Sequence, residues 1–350
     1  MREVPDKMNR GTKHIVRELT HHETVSSSNL ALLSRNTELL STLIVAGCFI
    51  FLVLPLSLHQ VTDFMIFCII VMSWDLLYGY MGRLSFGLFL YYGAGAYGTG
   101  LFVKYVSVNP LVAIVAGIML SVVLAMLLGI VVVRATGASF GLLNAAFNVV
   151  GHFIVMSPLR SITSGEDGFG VGAKRLGFIN FFDPGFKFWF VLLSLLLVLW
   201  VLRRLIFSSY GVLVRSIKQN ETRVRFLGYN TFFYKWITFI ISASIAGLAG
   251  ALSALNYNYV NPNSLNVHAN VGVIFACLIG GAGHIYGAII GGVIYMIISN
   301  LLPIYFRRWE LFLGIALLII VFRFKAGIWG SLKSWWTNRS LRRRQATIHE

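Results

Sequence analysis

Acidic side chains are scarce in this chain: Asp and Glu number 13 in 350 residues, and all charged residues together make up 12%. A soluble globular domain carries about 25% charged residues, so a water-facing surface of ordinary extent is excluded. Cysteine is rarer still. Cys48, Cys68 and Cys277 all fall in apolar runs, which supports neither a disulfide framework nor a cysteine-based metal site. No G-x-x-x-x-G-K-[ST] string occurs, so the chain carries no P-loop with which to hydrolyse ATP. Nucleophile elbow, zinc motif and carboxylate pair are also missing, and His152, His268 and His284 stand without partners at ligand spacing. These absences leave no foothold for enzymatic chemistry. The first forty residues are polar, with His21, His22 and Ser26 to Ser28, and hold no apolar core of the kind a secretory signal needs.

Apolar residues dominate instead, at 57%. Crossing a hydrocarbon core of about 30 Å takes about 20 helical residues. Runs of suitable character lie at 41–58, 62–80, 84–103, 111–133, 139–157, 186–202, 236–255, 271–283, 285–302 and 310–322. The expected fold is all-α, a polytopic membrane protein of about ten transmembrane helices. Runs 84–103 and 271–283 are short or glycine-rich, so broken or re-entrant segments are expected there, buried where protein satisfies their backbone. Three regions follow: a basic polar arm at 1–40, expected to be disordered, a transmembrane domain at 41–330, and a basic tail at 331–350.

Positive charge sets the orientation, because short loops rich in Lys and Arg stay in the cytoplasm. Arg203, Arg204, Arg215, Lys218, Arg223, Arg225 and Lys235 crowd the segment 203–235. Counting spans outward from it puts the arm (Arg2, Lys7, Arg10, Lys13, Arg17) and the tail (Arg342, Arg343, Arg344) on the same, cytoplasmic side. Loops at 158–185 and 255–270 then face outward, the first carrying Glu166, Asp167 and Asp183; Arg307 and Arg308 run against the trend. The formal charge of +16 flanks apolar spans without forming a folded basic patch, which points to anionic lipid headgroups and away from nucleic acid.

Gly93, Gly95 and Gly98 match the dinucleotide spacing, but they lie inside a span, where no strand precedes a helix, and the match is set aside. Gly283, Gly287 and Gly291 recur at four-residue intervals, as do Ala243, Gly247 and Ala251, the pattern of closely packed membrane helices. Ionisable groups within spans, the usual sign of ion coupling, are few: Asp63 and Asp75 near span ends and Glu310 at a boundary. Asp75 is the strongest candidate, although its place near a cytoplasmic span end is equally compatible with a solvated carboxylate. Energy for any transport is therefore expected from another chain.

The segment GVLVRSIKQNETRVRFLGYN, from Gly211 to Asn230, is the sharpest local signal. Leu213, Ile217, Asn220, Val224 and Leu227 recur at helical spacing and predict one apolar face. Asn220 is placed to cap a second helix, with Glu221 in its first turn, Arg225 late and Gly228 just past its end. A half-apolar basic element of this kind either rests on lipid or lies in a partner's groove, and the residues alone do not choose.

Four ordered motifs resemble one family. RSIKQNETRVRFLGYNTFFYKWITFIISASIAGLAGAL is similar to the cytoplasmic loop and following span of LivM-type permeases of branched-chain amino acid ABC importers, with their RAIRENE-x-x-A-x-x-LGY signature. WDLLYGYMGRLSFGLFLYYGAGAY resembles the family's LGYAGxLSxGHAAFFGxGAY segment, TSGEDGFG its TGGxDGL loop, and LIGGAGHIYGAIIGG its LGGxGSxxGPxxGA turn and span. The resemblance covers residues 66–330. It implies a permease of a prokaryotic plasma (inner) membrane with both termini cytoplasmic. The implied partners are a second permease, P-loop ATPase subunits that hold ATP and Mg, and an extracytoplasmic binding protein. No cofactor is implied on this chain itself.

By the same resemblance, Arg215, Ser216, Ile217, Gln219, Asn220, Glu221 and Gly228 would couple to the ATPase. Gly79, Gly82, Ser85, Gly93, Gly95, Ala96 and Tyr97, with Asp75, would lie near the translocation path. Ser164, Gly165, Asp167 and Gly168 would meet the binding protein, and Gly280, Gly281, Gly283 and Gly287 match the family's final glycine-rich turn; with Gly247 and Gly291, whose small-residue spacing points the same way, these glycines are expected to pack helices. The chain departs from the pattern at Leu88, where a histidine is usual, at Lys218 and Gln219, and at His284 and Ala288. The function implied is import of branched-chain amino acids or similar small molecules by alternating access. Import of urea or short amides, a stand-alone carrier or channel, and a lipid-binding scaffold are the alternatives.

Overall fold

A computed structural model describes residues 42–53, 56–106, 109–172, 181–306, 311, 314–315 and 327–330. The basic arm and tail lie outside these residues. The chain divides into two units, 1–54 and 55–350, and the first contributes one described element, the short apolar helix α1 (Thr42–Leu52).

Among the described residues, the second unit is all-α apart from one two-residue strand pair. Helix α2 (Leu58–Asp75) starts at Ser57, whose hydroxyl accepts from the Gln60 amide while the Gln60 side chain returns to the Ser57 amide. This reciprocal box satisfies amides that a helix start otherwise leaves open. At its other end α2 passes into a π turn, Leu76–Tyr80. Helices α3 (Leu88–Tyr105), α4 (Pro110–Val132) and α5 (Ala138–Met156) follow. The one-turn α6 (Arg160–Thr163) precedes α7 (Pro184–Ile206), whose start Asp183 caps by accepting from the Gly185 and Phe186 amides. Two short helices, α8 (Ser209–Gln219) and α9 (Glu221–Phe226), lead into α10 (Thr231–Tyr257), followed by α11 (Ala269–Gly280) and α12 (Ile285–Tyr305). Strand β1 (Phe169–Gly170) pairs antiparallel with β2 (Tyr259–Val260), tying the loop after α6 to the end of α10.

Six described helices are long and apolar enough to cross a membrane: Leu58–Tyr80, α4, α5, α7, α10 and α12. The chain is a multi-pass membrane protein. Ten crossings are not reached among the described residues. Run 41–58 yields only the short α1, run 271–283 yields the 12-residue α11, and run 310–322 lies mostly outside the described residues. Twelve residues of helix rise about 18 Å, short of a full crossing.

Run 84–103 is broken, and the break is instructive. Residues 82–87 are not helical, and α3 starts only at Leu88. Ser85 and Gly87 in this stretch are buried, and other groups satisfy Ser85: the Trp74 indole donates to the Ser85 carbonyl at 2.8 Å, and the Asn144 amide to the Ser85 hydroxyl at 3.1 Å. Asn270, at the start of α11, accepts from the Leu88 and Phe89 amides at 2.9 and 3.3 Å. Non-helical backbone survives at membrane depth only with such internal partners. From there α3 runs against α10 backbone to backbone, with Gly95 on Gly247 and Gly250 on the Tyr92 carbonyl. Helices α2, α3 and α10 form the buried centre, whereas α4, α5 and α7 turn residues such as Leu127, Phe153, Leu193 and Trp200 outward, as lipid-facing helices do.

Candidate functional site

Segment 203–235, expected as a cytoplasmic connection with a short helix or helix pair at 211–230, is mostly helical: Arg203 and Arg204 form the last turn of α7, and Lys235 lies buried in the second turn of α10. Between them, α8 and α9 make an elbow at Asn220. Ser208 caps α8, and the Asn220 side chain accepts from the Arg223 amide at 2.9 Å to start α9. Gly228 follows the end of α9 with φ +86°. Val214, Ile217 and Val224 are buried, but Leu227, expected on the same face, is 71% exposed, and Phe226 is 87% exposed. The reason is Asn220 itself, whose extended backbone (φ −158°, ψ 97°) breaks the helical phase between α8 and α9. The elbow is therefore anchored by α8 and shows an apolar tip.

What fastens the tip is Glu221. Its Oε2 meets Arg83 Nη2 at 2.8 Å, and its Oε1 meets Lys235 Nζ at 2.7 Å and Arg225 Nη2 at 3.4 Å, while the Thr231 hydroxyl donates to Oε1 at 3.1 Å. Lys235 is 7% exposed and Glu221 21% exposed at their side chains, so this is a half-buried cluster and not a surface pair. Burial alone would raise the Glu221 pKa, but Lys235, Thr231 and Arg83 outweigh it and hold the carboxyl below its ordinary 4.5. One carboxylate thus joins the start of α9, the start of α10 and the chain just after the π turn.

A second tie runs from α8. Lys218 Nζ donates to the Gly79 carbonyl, inside the π turn, at 2.7 Å. Gly79 also lies against Asp75 and against the Gly283 amide so closely that a Cβ there would overlap both. Asp75, given a solvated alternative from sequence, is in fact 1% exposed: its Oδ1 accepts from the Gly283 amide at 2.7 Å and from the Cys277 thiol at 3.4 Å. Its Oδ2 has no hydrogen-bond partner among the described residues. Asp75 is deeper than its place in the sequence suggested because Gly79 of the π turn, Cys277 and Gly283 all lie against it. The line Lys218, Gly79, Asp75, Gly283 joins the elbow to the turn between α11 and α12.

Other residues singled out from sequence take varied places. Arg215 donates to the Ile206 and Gly211 carbonyls and Ser216 to the Val212 carbonyl, so both brace α8, while Gln219 and Asn220 are exposed. Gly82 adjoins the Lys218 side chain, and Ser85 sits in the broken stretch. Gly95 and Ala96 pack toward α10. Gly93 and Tyr97 line an apolar cavity between α3, α4 and α5 of about 360 Å³, far from the elbow in sequence and walled by residues such as Leu124, Phe147 and Ile154. Ser164, Gly165 and Gly168 take positive φ in the loop held by β1 and β2, where the Tyr259 hydroxyl donates to the Asp167 carbonyl. Gly280, Gly287 and Gly291 bring α11 and α12 together, with Gly281 and Gly283 turning the chain at φ +107° and +85°; Gly247 abuts Ser121 of α4.

Sequence reasoning missed Arg83 and the buried state of Lys235. A cation immediately flanking a long apolar run was the available signal, since such a charge needs a named partner once it is taken out of water. It also missed Asn270, one amide in an apolar run, for the same reason.

Residues 56–322 match the profile of a family described as the permease component of branched-chain amino acid transport systems. The high-affinity branched-chain amino acid transport system permease protein LivM of Salmonella typhimurium is 26% identical over 311 residues, 81% of this chain and 73% of that protein. LivM of Escherichia coli K12 is 26% identical over 312 residues, with the same two coverages. LivH of that organism, also a branched-chain amino acid permease protein, is 32% identical over 134 residues, 38% of this chain and 42% of LivH. No solved structure matches the chain.

Proposed function

The chain belongs to the family of branched-chain amino acid transport permease components, and on that premise we propose that it is a transmembrane subunit of an ABC importer for branched-chain amino acids. In this reading it works by alternating access, with a second permease beside it, ATPase subunits that supply ATP and Mg, and a binding protein that delivers substrate. The elbow faces the cytoplasm, where Lys and Arg are densest, in a prokaryotic inner membrane.

The observation that carries the proposal is the elbow. An exposed Phe226 and Leu227 stand at the end of an element whose other side is locked by Glu221 and Lys218 to the π turn, to Arg83 just after it and to α10. A tip of this kind resting on lipid would not need a buried ion cluster behind it; one that transmits force would. A partner that seats on Phe226 and shifts α9 would load Arg83 and Lys235 directly, and through Lys218 would load the π turn, Asp75 and the α11–α12 turn. Interfaces and packed helices respond to such loads by switching between discrete arrangements.

The test is a purification of the chain from its own membrane in mild detergent, with identification of every co-purifying protein and leucine uptake by the recovered complex in proteoliposomes. ATPase subunits, a second permease and ATP-dependent leucine uptake are expected. Recovery of the chain alone, from a preparation that keeps other complexes intact, overturns the importer reading in favour of a stand-alone carrier.

A further inference from the structure

At the end of α2 remote from the elbow lies a second cavity, of about 270 Å³, enclosed by α2, α3, α10, α11 and α12. Its size falls just below the usual range of small-molecule sites, about 300–1,000 Å³. One charged group lines it, Asp63, and around that carboxylate stand Phe67, Phe89, Tyr92, Tyr257 and Tyr295. Phe67 stacks on Tyr295 with centroids 5.2 Å apart, and Phe89 meets Tyr92 at 5.1 Å, so the walls are paired rings.

The state of Asp63 distinguishes this place from an ordinary gap between helices. Its Oδ1 accepts from the Asn256 amide at 2.7 Å and its Oδ2 from the Tyr257 hydroxyl at 2.8 Å. A carboxylate offers about four acceptor positions, so both oxygens keep capacity while their direction is fixed. Two basic groups stand nearby, and neither fills the open acceptor positions on the cavity side. His59 Nε2 stands 3.8 Å away on a half-exposed ring, and Lys187 gives its ammonium to the Asn256 carbonyl at 2.7 Å. A carboxylate 18% exposed in an apolar, ring-lined chamber is costly, and with a neutral His59 no cation meets it directly.

We propose that this cavity is a transit site for a small apolar amino acid, with Asp63 taking the ammonium group and Phe67, Ile70 and Tyr295 taking the side chain. The inference rests on the importer reading above and adds a place and a partner for the substrate inside this chain. A charge-assisted bond to a carboxylate already oriented by Asn256 and Tyr257 needs little reorganisation, and ring faces next to an ammonium add to the attraction. Deaminated analogues of the same shape would leave Asp63 buried without a cation and be rejected here.

The experiment uses the assembled importer in proteoliposomes and leucine bearing a photoactivatable diazirine in its side chain. Photolysis during turnover is expected to label peptides containing Phe67 or Tyr295 in the wild-type complex. Asp63→Asn, nearly isosteric, is expected to lower that labelling and leucine uptake at least tenfold while ATP hydrolysis stimulated by loaded binding protein persists; Asp63→Glu retains a measurable part of both. Leucine uptake by the wild type with label only elsewhere, or uptake and labelling unchanged in Asp63→Asn, overturns this inference and leaves the importer reading standing. No leucine uptake by the wild-type complex overturns both. Because the wild-type labelling position needs no variant, the outcome does not depend on Asp63→Asn assembling.

Discussion

Replacing Glu221 by Gln removes one negative charge from a cluster that holds three basic side chains and a hydroxyl. Arg225 is 70% exposed and loses little, so the cost falls on Arg83 and Lys235, 13% and 7% exposed. Hydrogen bonds to charged groups contribute about 1.5–3 kcal/mol each, and unpairing a fully buried charge costs about 3–5 kcal/mol. Since Glu221 keeps some contact with water, about 3 kcal/mol is the appropriate size, or roughly a hundredfold rise in the population of undocked elbow. Amide hydrogen exchange over 221–231 reads that population, and uptake per ATP in the reconstituted importer reads its consequence. Glu221→Gln should speed exchange and lower coupling. Glu221→Lys should abolish uptake with the chain still in the membrane, and adding Lys235→Glu to it should restore part. The pH dependence has a definite sign: because the folded pKa lies below 4.5, the lock is fully present above that value and is lost as pH falls through the depressed folded value. Exchange at the elbow should thus be insensitive to Glu221 titration from about pH 5 to about pH 8. Unchanged exchange and uptake in both Glu221→Gln and Glu221→Lys would refute the reasoning.

Gly280→Val would drive side-chain atoms into the Gly287 backbone, and overpacking of about 1–3 kcal/mol should appear as a lower melting temperature in detergent and poorer recovery. Asn270→Ala leaves the Leu88 and Phe89 amides open in a buried place; at about 1–2 kcal/mol it should speed exchange at the start of α3 without touching the elbow. Gly228→Pro deletes the bond from the Gly228 amide to the Arg225 carbonyl and cannot keep φ +86°, so uptake should disappear from a chain that still reaches the membrane. Lys218→Met should keep the melting temperature within a few degrees while uptake per ATP falls several-fold; an unaltered ratio would sever the elbow from the π turn.

The long helices were legible because lipid demands an unbroken apolar run, and α4, α5, α7, α10 and α12 each supply one. The Asn220 cap was legible as well, since capping is a local matter of one side chain and an amide two or three residues on. Phase across the elbow was not: a single extended residue redirects everything after it, and Leu227 went outward. Asp75 was misjudged for a related reason, because its depth depends on the π turn and on Gly283, 208 residues away. Glu221 was visible as a charge in a signature, but its partner Arg83 lies 138 residues earlier, and no periodicity links the two. Asp63 stood near the start of a span, where a carboxylate looks interfacial; only the ring-lined chamber around it alters that view.

The first turn of α3 hangs on an amide side chain that the ribosome reaches 182 residues later. At synthesis rates of about 5–20 residues per second, the Leu88 and Phe89 amides wait roughly 10–35 seconds for Asn270. Ser85 finds Trp74 and Asn144 sooner, but until α10 and Asn270 have been made the first turn of α3 lacks its side-chain acceptor and the glycines of α3 lack their partner helix. The start of α3 is thus among the last parts of the helical core to be completed. Biogenesis of the chain is then paced by the arrival of α10 and α11, and cells with slowed insertion should accumulate a form cleavable near 82–87 before any other part of the membrane domain is exposed.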